Sequence, residues 1–468
     1  MESLQRVANR GSISTGYDVD NSLKVESDNN EYLERSTSGA SDGNSTQHTI
    51  SVWVKRTELG VDSEPVSAGG IGRFRFESDD TFSYQFRSGK EIITNRVFRD
   101  TASWYHIVAA ADSSQSTASN RMKLYVNGVQ ETSFGTAVYQ DQNQAAPGWG
   151  KNTTYSLRVG AAASSTRNFN GYIAEMYYID GQTLDPTSFG EFDDDTGIWI
   201  PKKFSGTYGA LDTYLDFSDS SNLGKNSGGT TDLGATNITA ADQATDTCTN
   251  NFAIINRLFK YPSSQVINEG ATKVARSSGS GLNKTFISTI AVTAGKWYAE
   301  FKPTAGGSNY VVGIMPIDTA STVDLDANHL GNGDYAGSLG YYSPDGSMLA
   351  AGNSANGSFG NSYTGDDIIG VALDMDNRKV YFSKNGTYQN SQDPTNGTNA
   401  ITLTDTSDGY HIGFTYDTSG TVECNFGGYH VNTLSSAAAD GNGFGSFEYA
   451  PPTGYLALCT KNLGSDGG

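Results

Sequence analysis

Residues Gly365–Gly386, GDDIIGVALDMDNRKVYFSKNG, leave this chain little choice of fold. Ile369, Val371, Leu373 and Met375 alternate with Ile368, Gly370, Ala372 and Asp374, the period-2 pattern of a strand with two unlike faces. Asp376-Asn377 interrupts it with residues that tolerate turn geometry, and Lys379–Ser383 resumes as a β-branched and aromatic strand. Asn385-Gly386 then closes a hairpin, since both residues accept the positive φ of a two-residue turn. The segment Lys123–Gly128, KLYVNG, follows the same order of strand and Asn-Gly turn. Two such devices, far apart in the chain, predict two antiparallel β domains in series.

Composition agrees with thin, turn-rich sandwiches. Of 468 residues 55 are glycine, and only 36% are hydrophobic, which suits sheets with one face in water better than large helical cores. Helical periodicity is confined to short stretches, Pro186–Phe192 and Leu434–Asp440, so helix is expected only as single turns. The net charge of −20 is spread along the chain: residues 1–200 hold 17 cationic and 26 acidic side chains, and residues 261–468 hold 9 and 19. Neither half offers a basic face, which argues against nucleic acid as a partner and against an anionic membrane. No apolar run approaches the roughly 20 residues that span a bilayer. Met1–Gly11 lacks the apolar core of a signal peptide, and the expectation is a soluble chain made in a cytoplasm without a secretion tag. Cys248, Cys424 and Cys459 are too few and too scattered for a disulfide framework or zinc cluster, and read as packed thiols.

Along the chain, residues 1–20 are polar. Strand patterns begin next: Thr49–Lys55, TISVWVK, sets Ile50, Val52 and Val54 on one face and Trp53 on the other. Trp104–Ala109, WYHIVA, precedes the Lys123–Gly128 hairpin, and Leu157–Gly160 and Phe169–Ile179, FNGYIAEMYYI, follow. This ordered set resembles the laminin-G and concanavalin-A-like jelly-roll family over about residues 20–195. Residues 201–260 turn polar, rich in Ser, Asn, Gly, Thr and Asp. With Tyr214, Leu215 and Phe217 as their one apolar anchor, they read as an ordered connector with little core.

From about residue 261 a second series runs: Gly295–Phe301, GKWYAEF; Tyr310–Ile314, YVVGI; Ser338–Tyr342, SLGYY; the opening meander; Tyr410–Phe414, YHIGF; and Val422–Gly427, VECNFG. Over residues 290–430 this resembles the SPRY family in every element and in order. Phe444–Leu463 reads as an extended tail packing back on that sandwich. The domain expectation is therefore 1–20 as an N-terminal segment, 21–200 as the jelly roll, 201–260 as the connector and 261–468 as the SPRY-like sandwich with its tail. The fold class expected is all-β, two antiparallel sandwiches in series.

The jelly-roll superfamily includes glycoside hydrolases, which need two carboxylates facing one cleft. In the jelly-roll hydrolases these lie on one strand as E-x-D-x-E, because period 2 places all three on one face. The chain has no such triplet, and Glu26–Glu34 and Glu191–Asp195 read as solvated surface charge. His48, His106, His329, His411 and His430 are dispersed, with no H-E-x-x-H, and His106 and His411 fall inside strand patterns. Gly69-Gly70-Ile71-Gly72 reads as a turn, and no G-x-S-x-G elbow occurs. No catalytic residue and no enzyme activity are expected.

Calcium is the one cofactor to weigh. Some laminin-G-like domains bind it at a loop edge, and Asp324, Asp326 and Asn328, or Asp193-Asp194-Asp195, supply oxygens of the right kind. His329 stands where an EF-hand loop needs glycine, and the reading taken is surface acidity without metal. Aromatic rings stack on sugars, so loop residues Tyr139, Trp149 and Tyr155, with Tyr335, Tyr342 and Tyr363 in the SPRY-like half, are the candidate ligand-binding residues. Core or rim packing is the reading taken for each, and they are named as the first places to mutate. Binding is expected at loop edges rather than on sheet faces.

A laminin-G-like sandwich, this connector and a SPRY sandwich in one chain resemble structural proteins of tailed bacteriophages. That resemblance implies a non-enzymatic virion surface protein, a tail fibre or tail-associated appendage, made in the host cytoplasm and binding a host-surface glycan or protein. A head decoration or head fibre protein bound to other virion subunits is the alternative, and a polysaccharide depolymerase the third. The short N-terminal segment favours a compact module mounted on another virion protein. A homo-oligomer, such as a trimer, is the expected assembly.

Overall fold

A computed structural model describes residues 16–37, 41–150, 153–163, 166–258, 265–276, 284–304, 309–325, 327–351, 357–416, 420–431 and 433–466. Strand makes up 41% of the chain and helix 5%, in several antiparallel sheets, so the fold is nearly all-β. Two compact units divide it, one ending at Asn250 and the other running from Asn251.

In the first unit, one sheet runs Val129–Gln130, Met122–Val126, Tyr105–Asp112, Gln47–Arg56, Gly171–Asp180, Ser22–Val25 and Gln243–Ala244 from edge to edge. Thr213–Leu215 also pairs with Gly171–Asp180. The facing sheet runs Phe134–Ala137, Lys90–Val97, Thr81–Arg87, Gly72–Phe76, Ser63–Ala68, Leu157–Val159, Tyr32–Glu34 and Gly234–Thr236. Ile50, Val52 and Val54 meet Phe74, Phe76, Phe82 and Tyr84 in the core between the sheets. Trp53 points the other way, stacked on His106 at 4.8 Å, as the alternation requires.

That outer face of the first sheet is covered by later chain. Trp199, on the Gly190–Phe192 and Trp199–Pro201 hairpin, donates from Nε1 to His106 Nδ1 at 2.8 Å. Phe189, Phe204 and Tyr214 form a second apolar cluster against Val108, Tyr177 and Ile179. Asp246 completes the cover, pairing with buried Lys55 at 2.7 Å and accepting from Trp104 Nε1 at 3.0 Å. The stretch 201–260, expected as a connector, is thus shared between the units. Residues 201–250 give strands and side chains to the first, and Leu215 and Phe217 enter its main core. Phe252 and Ile255 bridge to Cys459 and Ser288 in the second. Aromatics spaced through a polar stretch, each filling a separate gap on the sheet, are a packing layer that no periodicity reveals.

In the second unit, a nine-stranded sheet runs Gln265–Asn268, Lys273–Arg276, Gly420–Asn425, Lys296–Thr304, Ile369–Asp374, Lys379–Lys384 and Thr387–Tyr388. Ile401–Thr402 pairs with Lys379–Lys384, and Leu456–Ala457 lies parallel to Lys296–Thr304. The facing sheet runs Lys284–Val292, Tyr410–Tyr416, Tyr310–Pro316, Leu339–Tyr342, Ser347–Ala350 and Gly357–Ser358. Ile369, Val371, Leu373 and Met375 enter the core, as their alternation predicts. The tail packs back through Phe447, Tyr455, Ala457 and Cys459, which cover Tyr298, Ala372 and Tyr381 on the outer face of the larger sheet.

Both Asn-Gly turns have the expected backbone. Asn127 and Gly128 sit at φ 47° and 79°, and Asn385 and Gly386 at 49° and 77°, positive at both central residues as a type I′ turn requires. The helices differ in part from expectation. Pro186–Ser188 is a single 3-10 turn capped by Asp185, but Leu434–Asp440 forms none, because Ala438 bridges to Phe447 instead. The seven-residue helix Thr460–Asp466 had no visible signal, since its sequence TKNLGSD carries one buried apolar residue, Leu463.

Candidate functional site

Carboxylates that carry chemistry must face a cleft with oxygens to spare. Glu175 sits at an irregularity in Gly171–Asp180, at φ 46°, where the register against Gln47–Arg56 shifts. Its buried carboxylate accepts from the hydroxyls of Tyr177 at 2.6 Å, Tyr214 at 3.0 Å and Tyr17 at 3.2 Å. Burial pushes its pKa up against those donors. In the second unit, a cleft of about 80 Å³ is lined by Glu300, Lys302, Glu423, Asn425, His430 and Glu448, among others. Glu300 accepts from Tyr449 N at 2.8 Å, Glu448 N at 2.9 Å, Tyr298 Oη at 3.1 Å and Asn425 Nδ2 at 3.3 Å. Burial raises it to about 7, opposed by the Tyr449, Glu448 and Tyr298 donors. Both carboxylates fasten chain to chain: Glu175 gathers tyrosines, and Glu300 holds the tail at residues 448–449.

The candidate aromatic residues do not converge. Trp149 is buried in the first core with Nε1 donating to Gln85 O at 3.0 Å. Tyr363 is buried, its hydroxyl donating to Tyr341 O at 2.6 Å and Tyr310 O at 3.1 Å. Tyr335 is buried with its hydroxyl donating to Asp324 O at 2.5 Å. Rings so enclosed present no face to a sugar, and these three are packing residues. Tyr139 and Tyr342 are half-buried beside the two cores, Tyr342 donating to Asn309 Oδ1 at 3.2 Å. Tyr155 is half-buried against Gly69, where a Cβ would strike its ring.

The oxygens considered for calcium do not gather into one site among the described residues. Asp324 is exposed, while Asn328 turns its side-chain amide nitrogen to Asp334 Oδ2 at 3.0 Å and its backbone carbonyl accepts from Thr285 Oγ1 at 2.9 Å. Asp326 lies outside the described residues. Asp193 accepts from Thr196 N at 2.8 Å and Oγ1 at 2.7 Å within its own turn. Among the described residues no group of three His, Cys, Asp or Glu side chains is placed to hold a metal ion. His106 and His411 are buried, and burial lowers them to about 3 and about 4.

What the alternation does assemble is a polar row on the outer face of the first unit's second sheet. Glu34 pairs with Arg158, Arg158 with Ser67, Ser67 with Arg73, Arg73 with Gln85 and Gln85 with Glu91. Six strands thus set six polar side chains side by side, about 24 Å long at the usual strand spacing. Glu34, Arg73, Glu91 and Arg158 are half-buried, while Ser67 and Gln85 are buried. Arg158 also lies over the Tyr32 ring at 4.6 Å, and Ser156, next to Tyr155, bonds Glu34. Loop carbonyls brace the middle: Ala161 accepts from Ser67 Oγ at 2.8 Å, and Ile71 from Gln85 Nε2 at 2.7 Å. Alongside, buried Ser83 and Glu64 each leave a side-chain oxygen with no hydrogen-bond partner, as does Arg73 its Nε. The polar positions of GRFRF and TFSYQFR are visible in the sequence, but their alignment depends on pairing between distant strands.

The chain is similar to two families. A model of the concanavalin A-like lectin/glucanases superfamily matches residues 27–184, and a model of the SPRY domain matches residues 296–419. No curated protein matches the chain. Similar solved structures include the SPRY domain of human HERC1, 19% identical, covering 36% of this chain and 95% of that one, with a TM-score of 0.27. Another human SPRY domain is 17% identical, covering 36% of this chain and 97% of that one, with a TM-score of 0.26. The assignment rests on the two family models together with the sheets described above. The chain therefore carries a concanavalin A-like domain of the laminin-G type followed by a SPRY domain.

Proposed function

We propose that this protein is a non-enzymatic binding protein on the surface of a tailed-bacteriophage particle, a tail fibre or tail-associated appendage, whose first unit holds a host-surface glycan. The observation that carries the binding part is the Glu34–Arg158–Ser67–Arg73–Gln85–Glu91 row. Sugar hydroxyls both donate and accept, and the half-buried Arg73 and Arg158 guanidiniums and Glu34 and Glu91 carboxylates of the row offer both partners, with buried Ser67 and Gln85 bracing the strands between them. Tyr155 and Tyr32 stand beside it as rings for stacking. Glu175 and Glu300 support the non-enzymatic part, since both spend their oxygens on internal donors. The virion part rests on the pairing of the two domains in one chain, and it makes neighbouring virion proteins, and further copies of this one, the partners of the second unit.

Antibody labelling of intact particles, imaged by electron microscopy, tests the placement. Label on the tail supports the appendage reading, and label on the head turns it into a decoration protein. Binding of the purified chain to host cells, with and without calcium, tests the ligand, and no binding under either condition overturns the glycan reading.

A further inference from the structure

Three buried side chains of the first unit form a compact charged group. Lys24, on the Ser22–Val25 strand, places Nζ 2.8 Å from Asp242 Oδ1 and 3.1 Å from Glu31 Oε2. All three side chains are less than a tenth exposed. Asp242 ends the 3-10 turn Ala240–Asp242, and its other oxygen, Oδ2, accepts from Thr239 N at 2.7 Å and Thr239 Oγ1 at 3.2 Å. Glu31 is held by Glu26 N at 2.9 Å and Asn29 Nδ2 at 2.9 Å. One amine therefore faces one carboxyl, with a second carboxyl beside both and donors fixed on the oxygen away from the amine.

We propose that Lys24 and Asp242 join in an intramolecular isopeptide bond, with Glu31 as the proton carrier. Burial disfavours charge, so transfer of a proton from the Lys24 ammonium to the Asp242 carboxylate yields a neutral amine against a neutral acid. Nζ, held 2.8 Å from Oδ1 of the same carboxyl, then attacks Cγ of Asp242, the two groups already brought together by the fold. The Thr239 N–H and Oγ–H meet the negative charge that develops on Oδ2. Glu31 takes the second proton from the attacking nitrogen and delivers it to Oδ1, which leaves as water. The N–Cγ bond forms, the Cγ–Oδ1 bond breaks, and ammonium plus carboxylate become amide plus water with no other reactant. The product removes two buried charges, leaves Oδ2 on its Thr239 donors, and gives Glu31 an amide N–H.

A second buried pair, Lys55 and Asp246 at 2.7 Å, with the Trp104 indole also donating to Asp246, gives the peptide map an internal comparison.

Intact-mass measurement of the purified full chain, with peptide mapping, decides the matter. The expected mass is one water, about 18 Da, below that of the sequence, with a linked peptide pair containing Lys24 and Asp242. Lys24→Arg should appear at its full sequence mass. Asp242→Asn should lose ammonia, about 17 Da, in place of water. Glu31→Gln, checked as folded by circular dichroism, should remain unlinked, and a linked Glu31→Gln chain would overturn the role given to Glu31. Wild-type protein at its full sequence mass would overturn the bond itself. So would a water loss mapped to Asp242 alone, without a linked pair.

Discussion

Asn385 holds Ile368 by both of its backbone groups: its N–H donates to Ile368 O at 2.8 Å, and its Oδ1 accepts from Ile368 N at 2.8 Å. Asn127 does the same to His106 in the first unit, both bonds again at 2.8 Å. The asparagine of each Asn-Gly turn thus supplies positive φ and also ends the neighbouring strand. Replacing Gly386 with Val should destabilise the second unit by about 1–3 kcal/mol, since a β-branched residue at φ 77° is strained. Its Cβ would also meet the Tyr449 ring at 2.5 Å. Urea unfolding followed in the second unit checks this, and an unchanged midpoint would mean that the turn bears no load.

Asp246 tests whether residues 201–250 belong to the first unit. Asp246→Ala leaves the fully buried Lys55 ammonium without its carboxylate, and breaking such a pair costs about 3–5 kcal/mol. Calorimetry should show the first unit's transition falling while the second unit's stays in place. Equal loss in both, or in neither, would contradict the assignment.

Glu300 gives the second unit a pH signature. Burial raises its carboxyl from 4.5 to about 7 in the folded state, so the folded form keeps a proton that the unfolded chain releases. That contribution is complete below the unfolded value and is lost as pH rises through about 7, a difference of up to about 3 kcal/mol. Stability of the second unit should therefore decline between these two values, and Glu300→Gln should remove that part of the slope. A Gln variant with the wild-type slope would assign the dependence to other groups.

Calcium removal should leave both thermal transitions where they are, because among the described residues no three ligating side chains gather at one point. A shift of several degrees on adding a chelator, reversed by calcium, would locate a site these residues do not provide.

Much of the architecture was legible because strands announce themselves by alternation: Ile50, Val52 and Val54, and Ile369, Val371 and Leu373, face inward as their spacing predicts. The Asn-Gly turns were legible for the same local reason. The layer made by Phe189, Trp199, Phe204 and Tyr214 was not, since each aromatic fills a separate gap and no period links them. Trp149, Tyr335 and Tyr363 are packing residues, whose polar tips find backbone carbonyls inside the protein, and aromatic identity alone does not separate them from a binding ring. The polar row escaped for a different reason. Arg73 and Arg158 are neighbours only through Ser67, and that adjacency exists only once three strands have paired.

The central claim is that the first unit binds a glycan along that row without cleaving it. Equilibrium binding to purified host envelope polysaccharide, with reducing-sugar release measured in the same samples, tests it most directly. Arg73→Ala with Arg158→Ala removes two half-buried guanidinium groups from the row and should weaken binding by about tenfold or more, at roughly 1 kcal/mol for each lost hydrogen bond. Trp149→Phe, deep in the core, should bind as wild type does once its fold is confirmed. Saturable binding that the double substitution weakens, with no sugar released, is the result predicted. Release of reducing ends, or binding that the double substitution leaves unchanged, would contradict it.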